Sequence, residues 1–392
     1  MILNMLKSML SNFDMDPVVK LPAQKLAIIQ HKPLEAPDLS KIRSLASPGE
    51  NLDMAQFDGQ RYVQPWKKTR KGIEFLDVFK LLIVSLGAKA PSKKEVSSML
   101  SCKMNWQLIK SPPDSGGTQV TWMGHACFLI QIDNIKILTD PVWSKRCSPS
   151  KFLGPKRFCQ APCRIEELPP IDVVVISHNH YDHLDEYTIK KLGNAPIYVV
   201  PLGNGKTLRS MCVNAGRIVE LDWWQECSIT PKVSLVCLPA KHWSKRGLLD
   251  NNKALWSSWG ILGSSVKVYF SGDSGYCSAF KSIGEKLGPF DLALIGIGAY
   301  SPDSLREFHM SPEDSVMVHL DVKSKKSIAM HWGTWKLSLE HVFDPPRELK
   351  RQLKMRMLDP DSFISIRCGE TQQVLGAIQD QEEEEVLLES NT

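Results

Sequence analysis

The stretch "IDVVVISHNHYDHLD", Ile171 to Asp185, sets an unbroken apolar run directly against His178, His180, Asp182 and His183. A continuous β-branched run without polar alternation marks a strand covered on both faces. It therefore requires a layered fold in which a second sheet or helices bury both sides, with the polar turn at the sheet edge. If the chain stays extended past the strand, His178 and His180 point the same way, because strand side chains repeat every two residues. The turn then carries Asp182 and His183 toward a second position. Imidazole nitrogens and carboxylate oxygens suit Zn²⁺. An ordinary polar turn is a poor explanation for four such side chains packed together at a strand end.

Later apolar runs end on further donors. "VCLPAKHW" sets His242 after a strand, "VYFSGDSGY" sets Asp273 after another, and "SIAMHWG" sets His331 after a third. Glycines beside the last two allow a sharp backbone turn. Taken singly, each donor is equally a core histidine or an Asx-turn aspartate. Taken with the first turn, they complete two half-sites.

The rest of the chain gives these donors their setting. With 392 residues, 43% hydrophobic and 23% charged, the sequence suits one large soluble domain with extensions, or two domains. The net charge of +5, from 48 basic and 43 acidic residues, is too weak alone to indicate nucleic acid. Ten scattered cysteines form no disulfide framework and read as free thiols in a reducing compartment. The opening "MILNMLKSMLSNFDM" lacks a basic region and a small-residue cleavage site, so no signal peptide is expected. No apolar run reaches the roughly 20 residues of a membrane span.

Residues 1–58, irregular and rich in Pro, Ser and Asp, read as a loosely ordered extension. Residues 59–117 hold a basic cluster, "WKKTRKG" (Trp66 to Gly72), and an apolar helix over Ile73 to Gly87. That helix, with Phe75, Phe79 and Leu82 on its apolar side, packs on a core or lies in a lipid interface. A compact domain over 118–370 follows the breaker-rich "SPPDSGG", and 371–392, with "QDQEEEEVLLES", reads as a disordered acidic tail. Core packing accounts for most of Trp223, Trp224, Trp243, Trp256, Trp259 and Trp335. Lys245 and Arg246 are either plain surface charge or a lipid contact.

The order H-x-H-x-D-H, a later His, a Gly-Asp turn and a final His resembles the metallo-β-lactamase fold superfamily. The resemblance implies an α/β fold, an αββα sandwich with the site at one rim, here carrying an N-terminal extension. It implies two Zn²⁺ per chain: His178, His180 and His242 on the first, Asp182, His183 and His331 on the second, and Asp273 bridging. His125, in "WMGHACFLI", matches an early turn of the superfamily and is expected to support the ligands rather than join them.

The sequence between the ligands is more specific. "PSKFLGPKRF", "ELDWWQE", "HWSKRGLLDNNKALWSSW", "GDSGYCSAF", "HMSPEDSV" and "MHWGTW" resemble the N-acyl-phosphatidylethanolamine-hydrolysing phospholipase D family, from about Thr118 to Gly369. That likeness implies cleavage of N-acyl-phosphatidylethanolamines to N-acylethanolamines and phosphatidic acid, by attack of a zinc-bridging hydroxide on phosphorus at a membrane surface. Asp273 would be catalytic, His309 would touch the substrate phosphate or act as general acid, and Tyr181 would contact substrate. The partners implied are phospholipid and a membrane surface, without nucleic acid and with a homodimer left open. The place implied is intracellular, peripheral on the cytoplasmic face of internal membranes. Ser311 stands where the family usually has Asp, and Gly296 where it commonly has Pro. Both departures spare the ligands and bear on substrate preference. Two alternatives stay open: another dizinc hydrolase of this fold acting on a soluble phosphodiester or lactone, and a noncatalytic lipid-binding relative. The "WW" and "GPKRF" matches weigh against the first, and the complete donor set weighs against the second.

Overall fold

The computed structural model describes residues 33–66, 91–113 and 117–375. The segment expected to form an apolar helix, packed on a core or lying in a lipid interface, with Phe75, Phe79 and Leu82, lies outside them, as do most of the basic cluster and the chain beyond Leu375. The strands in chain order begin with β1 (Arg43–Ser44), β2 (Gln56–Phe57), β3 (Tyr62–Val63), β4 (Gly117–Gly124), β5 (Cys127–Ile132), β6 (Ile135–Thr139), β7 (Val173–Val175), β8 (Ile197–Pro201) and β9 (Ile218–Leu221). They continue with β10 (Gln225–Ser228), β11 (Ser234–Leu238), β12 (Ser258–Leu262), β13 (Lys267–Phe270), β14 (Phe290–Gly296), β15 (Ser324–Met330), β16 (Phe363–Ile364) and β17 (Thr371–Leu375).

Two sheets carry the fold. One has eight strands in the order β1-β10-β11-β12-β13-β14-β15-β16, and the other seven in the order β17-β4-β5-β6-β7-β8-β9. The runs β13 to β16 and β6 to β9 are parallel, and the remaining neighbours in both sheets are antiparallel.

Side-chain alternation shows why the layers form. Along the seven-stranded sheet Phe128, Ile130, Ile137, Val173, Val175, Ile197 and Val199 join the core that runs between the sheets. Their neighbours Cys127, Leu129, Leu138, Val174, Ile176, Tyr198 and Val200 form a second cluster with Ile109, Ile189 and Leu208 from the covering helices. A strand buried on both faces needs no polar alternation, which is what "IDVVVIS" displays. Outside the eight-stranded sheet lie the helices Ala279–Lys286 and Pro312–Asp321, with Asp344–Met355 packed against the latter. The result is an αββα sandwich.

The ordered body extends past both sequence-based boundaries. Arg43 pairs with Glu226 across β1 and β10, and their side chains meet at 2.7 Å. The Trp224 indole donates to the Asp53 carbonyl at 3.0 Å, and Tyr62 N donates to the Asn252 carbonyl at 2.8 Å. Much of 33–58 is thus fixed to the eight-stranded sheet. Two-residue strands and single long-range contacts leave no period in the sequence, so the segment reads as irregular. At the other end, β17 pairs with β4 over Thr371 to Leu375, beyond the expected limit at 370.

Candidate metal centre

Strand ends from both sheets deliver the donors to one rim. β7 leads into His178, β13 into Gly272 and Asp273, β15 into His331, β11 into His242, and the β4–β5 turn carries His125. Regular strand stops at Val175, two residues earlier than the apolar pattern suggests, yet His178 and His180 still converge, with Nε2 and Nδ1 at 2.8 Å. A tight turn, in which His183 N and Leu184 N both donate to the His180 carbonyl, carries Asp182 and His183 away from them. Gly272 has φ +52°, and a Cβ there would sit 2.6 Å from that of Ser177. The Gly-Asp turn therefore needs glycine both for its dihedral and for the close approach to the ligand strand.

Two donor groups result. His178, His180 and His242 form one, and Asp182, His183 and His331, with His125, form the other. Asp273 lies between them: its Oδ2 is 3.1 Å from His183 Nε2, 3.8 Å from His242 Nε2 and 3.9 Å from His178 Nε2, and its Oδ1 is 3.0 Å from His331 Nε2. His309 Nδ1 stands 3.7 Å from Asp273 Oδ2. His125 Nε2 meets Asp182 Oδ2 at 3.0 Å, a contact that fixes the carboxylate from behind.

Electrostatics separate the two groups. Burial, reinforced by neighbouring imidazoles, holds His178 and His242 well below the usual histidine range. Burial also brings His180 to about 4 and His125 to about 3. These rings are neutral and keep lone pairs to donate. Around the second group burial likewise opposes charge, but the carboxylates win. Asp273, Asp182 and Asp140 hold His183 well above its usual range, and Asp273 with Asp182 lifts His331 to about 9. The centre thus demands positive charge, supplied here by protons on two imidazoles and equally suppliable by a cation. His183 Nε2 and His331 Nε2 are buried without an aligned hydrogen-bond partner, a cost that coordination would remove. The residues fit a metal site.

Asp140, at the end of β6 in "ILTDPVW", is a functional residue that sequence reasoning overlooked. Its Oδ2 accepts from His183 Nδ1 at 2.7 Å and from Ser177 Oγ at 2.6 Å, and its Oδ1 accepts from Ser177 N at 2.7 Å. Because the Ser177 hydrogen goes to Asp140, its oxygen accepts from His178 Nδ1 at 2.9 Å. One buried carboxylate therefore holds the Nδ1 proton of a histidine in each group, directly for His183 and through Ser177 for His178, leaving both Nε2 atoms facing the centre. The Phe308 carbonyl does the same for His242, accepting from Nδ1 at 3.0 Å. The signal available in the sequence for Asp140 was an aspartate closing an apolar strand. Asp140→Ala is expected to weaken metal affinity by roughly 10–100-fold, measured by competition with a chromogenic chelator.

Other sequence candidates take definite places. The Tyr181 hydroxyl donates to the Arg246 carbonyl at 2.9 Å, and the Arg246 guanidinium stacks on its ring at 4.1 Å. Asp185 precedes the helix Glu186–Leu192 without capping it, and its carboxylate instead accepts from Trp143 N, Ser144 N and the Ser144 and Thr188 hydroxyls. Trp223, Trp224, Trp256 and Trp259 are fully buried. Ser311 caps the helix Pro312–Asp321, and Gly296 N donates to Ser271 Oγ at 3.2 Å, a bond that proline cannot make.

The fold and this arrangement of donors define a class. The family model of the β-lactamase superfamily domain matches residues 136–332, and the chain belongs to that superfamily. Two solved structures share the fold: an isothiocyanate hydrolase from Delia radicum gut bacteria (TM-score 0.52, 16% identity, covering 66% of this chain and all of that one) and the metallo hydrolase Igni18 of Ignicoccus hospitalis (TM-score 0.50, 19% identity, covering 66% and 98%). Within the superfamily the chain belongs with the N-acyl-phosphatidylethanolamine-hydrolysing phospholipases D. It is 40% identical over 267 residues to N-acyl-phosphatidylethanolamine-hydrolyzing phospholipase D 1 of Caenorhabditis elegans, spanning 65% of this chain and 75% of that one. It is 35% identical over 352 residues to the mitochondrial protein of that name from Saccharomyces cerevisiae, spanning 83% and 74%. Membership makes it a hydrolase.

Proposed function

We propose that the chain hydrolyses the headgroup-side phosphodiester of N-acyl-phosphatidylethanolamines, releasing N-acylethanolamine and phosphatidic acid while peripheral on a membrane. The observation that carries this reading is the pair of donor groups meeting at Asp273, with His309 beside it, in a chain 40% identical to a relative named for that reaction. Among the described residues no helix is long and apolar enough to cross a membrane.

His178, His180 and His242 would hold one zinc ion, Asp182, His183 and His331 a second, and Asp273 would reach both. When bound, zinc supplies Lewis acidity toward phosphoryl oxygens and makes water acidic near neutral pH. The protein's own groups do the positioning. Asp140 and Ser177 hold two imidazoles in the donating tautomer, and His125 keeps Asp182 turned inward. Asp273, its carboxyl held well below the ordinary range against burial by His183 and His331, stays anionic and orients the attacking water.

His309 is the group free to act on substrate. Burial lowers it to about 4, so in the resting site its imidazole is neutral. A neutral ring with one N–H donates a hydrogen bond to a nonbridging phosphate oxygen, and the phosphate's negative charge raises its basicity once substrate is bound. With its basicity raised, His309 takes up a proton from solvent as the substrate binds and, as imidazolium, passes that proton to the departing alkoxide of the N-acylethanolamine, returning to the neutral ring. Tyr181, whose hydroxyl is committed to the Arg246 carbonyl, shapes the wall beside the ligand turn. His309→Ala is expected to lower kcat by roughly 10²–10⁴-fold while metal content stays native. Loss of metal together with activity would move His309 into the ligand set. The reading as a whole is tested by incubating the purified chain with a mixed phospholipid extract, with and without chelator. Chelator-sensitive release of N-acylethanolamine supports it, and release of any other headgroup in its place refutes it.

A further inference from the structure

Two loops beside the metal centre hold large apolar side chains in solvent. Phe152 and Leu153 are 84% and 71% exposed, and Leu248 and Leu249 are 93% and 82% exposed. Leaving four such side chains uncovered on a soluble surface is unfavourable unless something else covers them.

Their exposure comes from loops held firmly at the base. In the first loop Arg157 N donates to the Lys145 carbonyl at 2.9 Å, Arg146 and Lys156 form an antiparallel bridge, and the Arg146 guanidinium donates to the Gly154 carbonyl. In the second, the Asp250 carboxylate accepts from Arg246 N and Gly247 N, at 3.2 and 2.7 Å. Both bases are tied to the ligand-bearing turn. Arg246 donates to the Asn179 and Leu184 carbonyls at 3.2 and 2.7 Å, and Asp185 accepts from Trp143 N and Ser144 N. Both loops are thus rooted in the same short stretch, Asn179 to Asp185.

Charge identifies what covers the tips. Lys151 and Lys245 are exposed within the two loops, Lys145 and Lys156 are exposed at the base of the first, and the whole segment 141–164 contains no Asp or Glu. Apolar tips backed by cations match the interfacial zone of a bilayer, where side chains enter the acyl boundary and ammonium groups meet phosphates.

We propose that these two loops form a membrane-docking face, inserting Phe152, Leu153, Leu248 and Leu249 into bilayers that carry anionic phospholipid. The inference rests on the lipid reading of the site above. N-acylation removes the positive charge of the ethanolamine headgroup, so the proposed substrate is itself anionic, and so is the phosphatidic acid released. Docking through loops rooted in the ligand turn sets the metal centre against the headgroup layer. The diester then reaches it without leaving the membrane.

The test uses the full chain and sedimentation with vesicles of phosphatidylcholine, alone or with added phosphatidylglycerol. Phe152→Ser, Leu153→Ser, Leu248→Ser and Leu249→Ser combined are expected to reduce partition onto phosphatidylglycerol vesicles roughly tenfold or more. Lys145→Glu, Lys151→Glu and Lys245→Glu combined are expected to reduce it comparably on those vesicles and to leave phosphatidylcholine binding unchanged. Both variants should retain native metal content and native hydrolysis of a short-chain, monomeric diester, since none of these side chains touches the site. Native-like partition by the serine variant overturns the proposal. So does a parent chain that ignores both vesicle types, which would assign the face to a protein partner. Loop-dependent vesicle binding without release of N-acylethanolamine would sink the substrate reading and leave the docking face standing. Hydrolysis with unaltered binding by the variants would do the reverse.

Discussion

Asp273→Asn is expected to cut kcat/KM by roughly a thousandfold or more and to lower the metal content below the parent's. Among the described residues Asp273 is the carboxylate that approaches donors of both groups, within 3.1 Å of His183 and His331 and within 3.9 Å of His178 and His242. The amide keeps the shape and removes the charge. It also presents an N–H₂ where only acceptors suit imidazolium groups or a cation. The metal-free protein should suffer too, because His183 and His331 carry protons that Asp273 compensates, and breaking a buried pair costs about 3–5 kcal/mol. Metal analysis, steady-state kinetics and thermal denaturation of the metal-free form check the three effects separately. Near-native turnover would remove Asp273 from the centre of the mechanism.

Trp259→Ala is expected to destabilise the fold by about 3–5 kcal/mol, enough to bring a domain of ordinary stability close to unfolding. Trp259 on β12 is fully buried between the sheets, and its indole donates to the Ile176 carbonyl at 3.1 Å. Ile176 sits two residues before His178, so the indole joins one sheet to the ligand-bearing end of the other. Truncation leaves a cavity and an unpaired carbonyl together. Urea denaturation should show a lowered midpoint at unchanged slope. Trp259→Phe, which keeps most of the volume and loses the donor, should recover most of the stability and less of the metal affinity.

The extent to which this molecule was legible in its sequence follows from locality. "IDVVVIS" could be read by itself, since a strand sandwiched between layers needs apolar residues on both faces, and Val173 to Ile176 divide between the two cores. The ligand turn was legible because four donors lie within six consecutive positions. His242, Asp273 and His331 could be picked out because each follows an apolar strand. Asp140 escaped because nothing in "ILTDPVW" reveals that β6 runs beside β7, and only that neighbourhood makes its carboxylate the partner of His183 and Ser177. The segment 33–66 escaped for a similar reason: its structure consists of contacts with Glu226, Trp224 and Asn252, far away in sequence. The exposed tips at Phe152 and Leu248 were hidden in the opposite sense. Their sequences resemble the family, and no periodicity distinguishes an apolar residue in solvent from one in a core.

The proposed reaction adds water at phosphorus on the headgroup side of an N-acylated phosphatidylethanolamine. Mass spectrometry of the products formed from that lipid in ¹⁸O-labelled water reads this out directly. Phosphatidic acid should carry the heavy oxygen, and N-acylethanolamine should lack it. Label in the N-acylethanolamine hydroxyl, or the appearance of diacylglycerol with a phosphorylated N-acylethanolamine, would contradict the proposed cleavage.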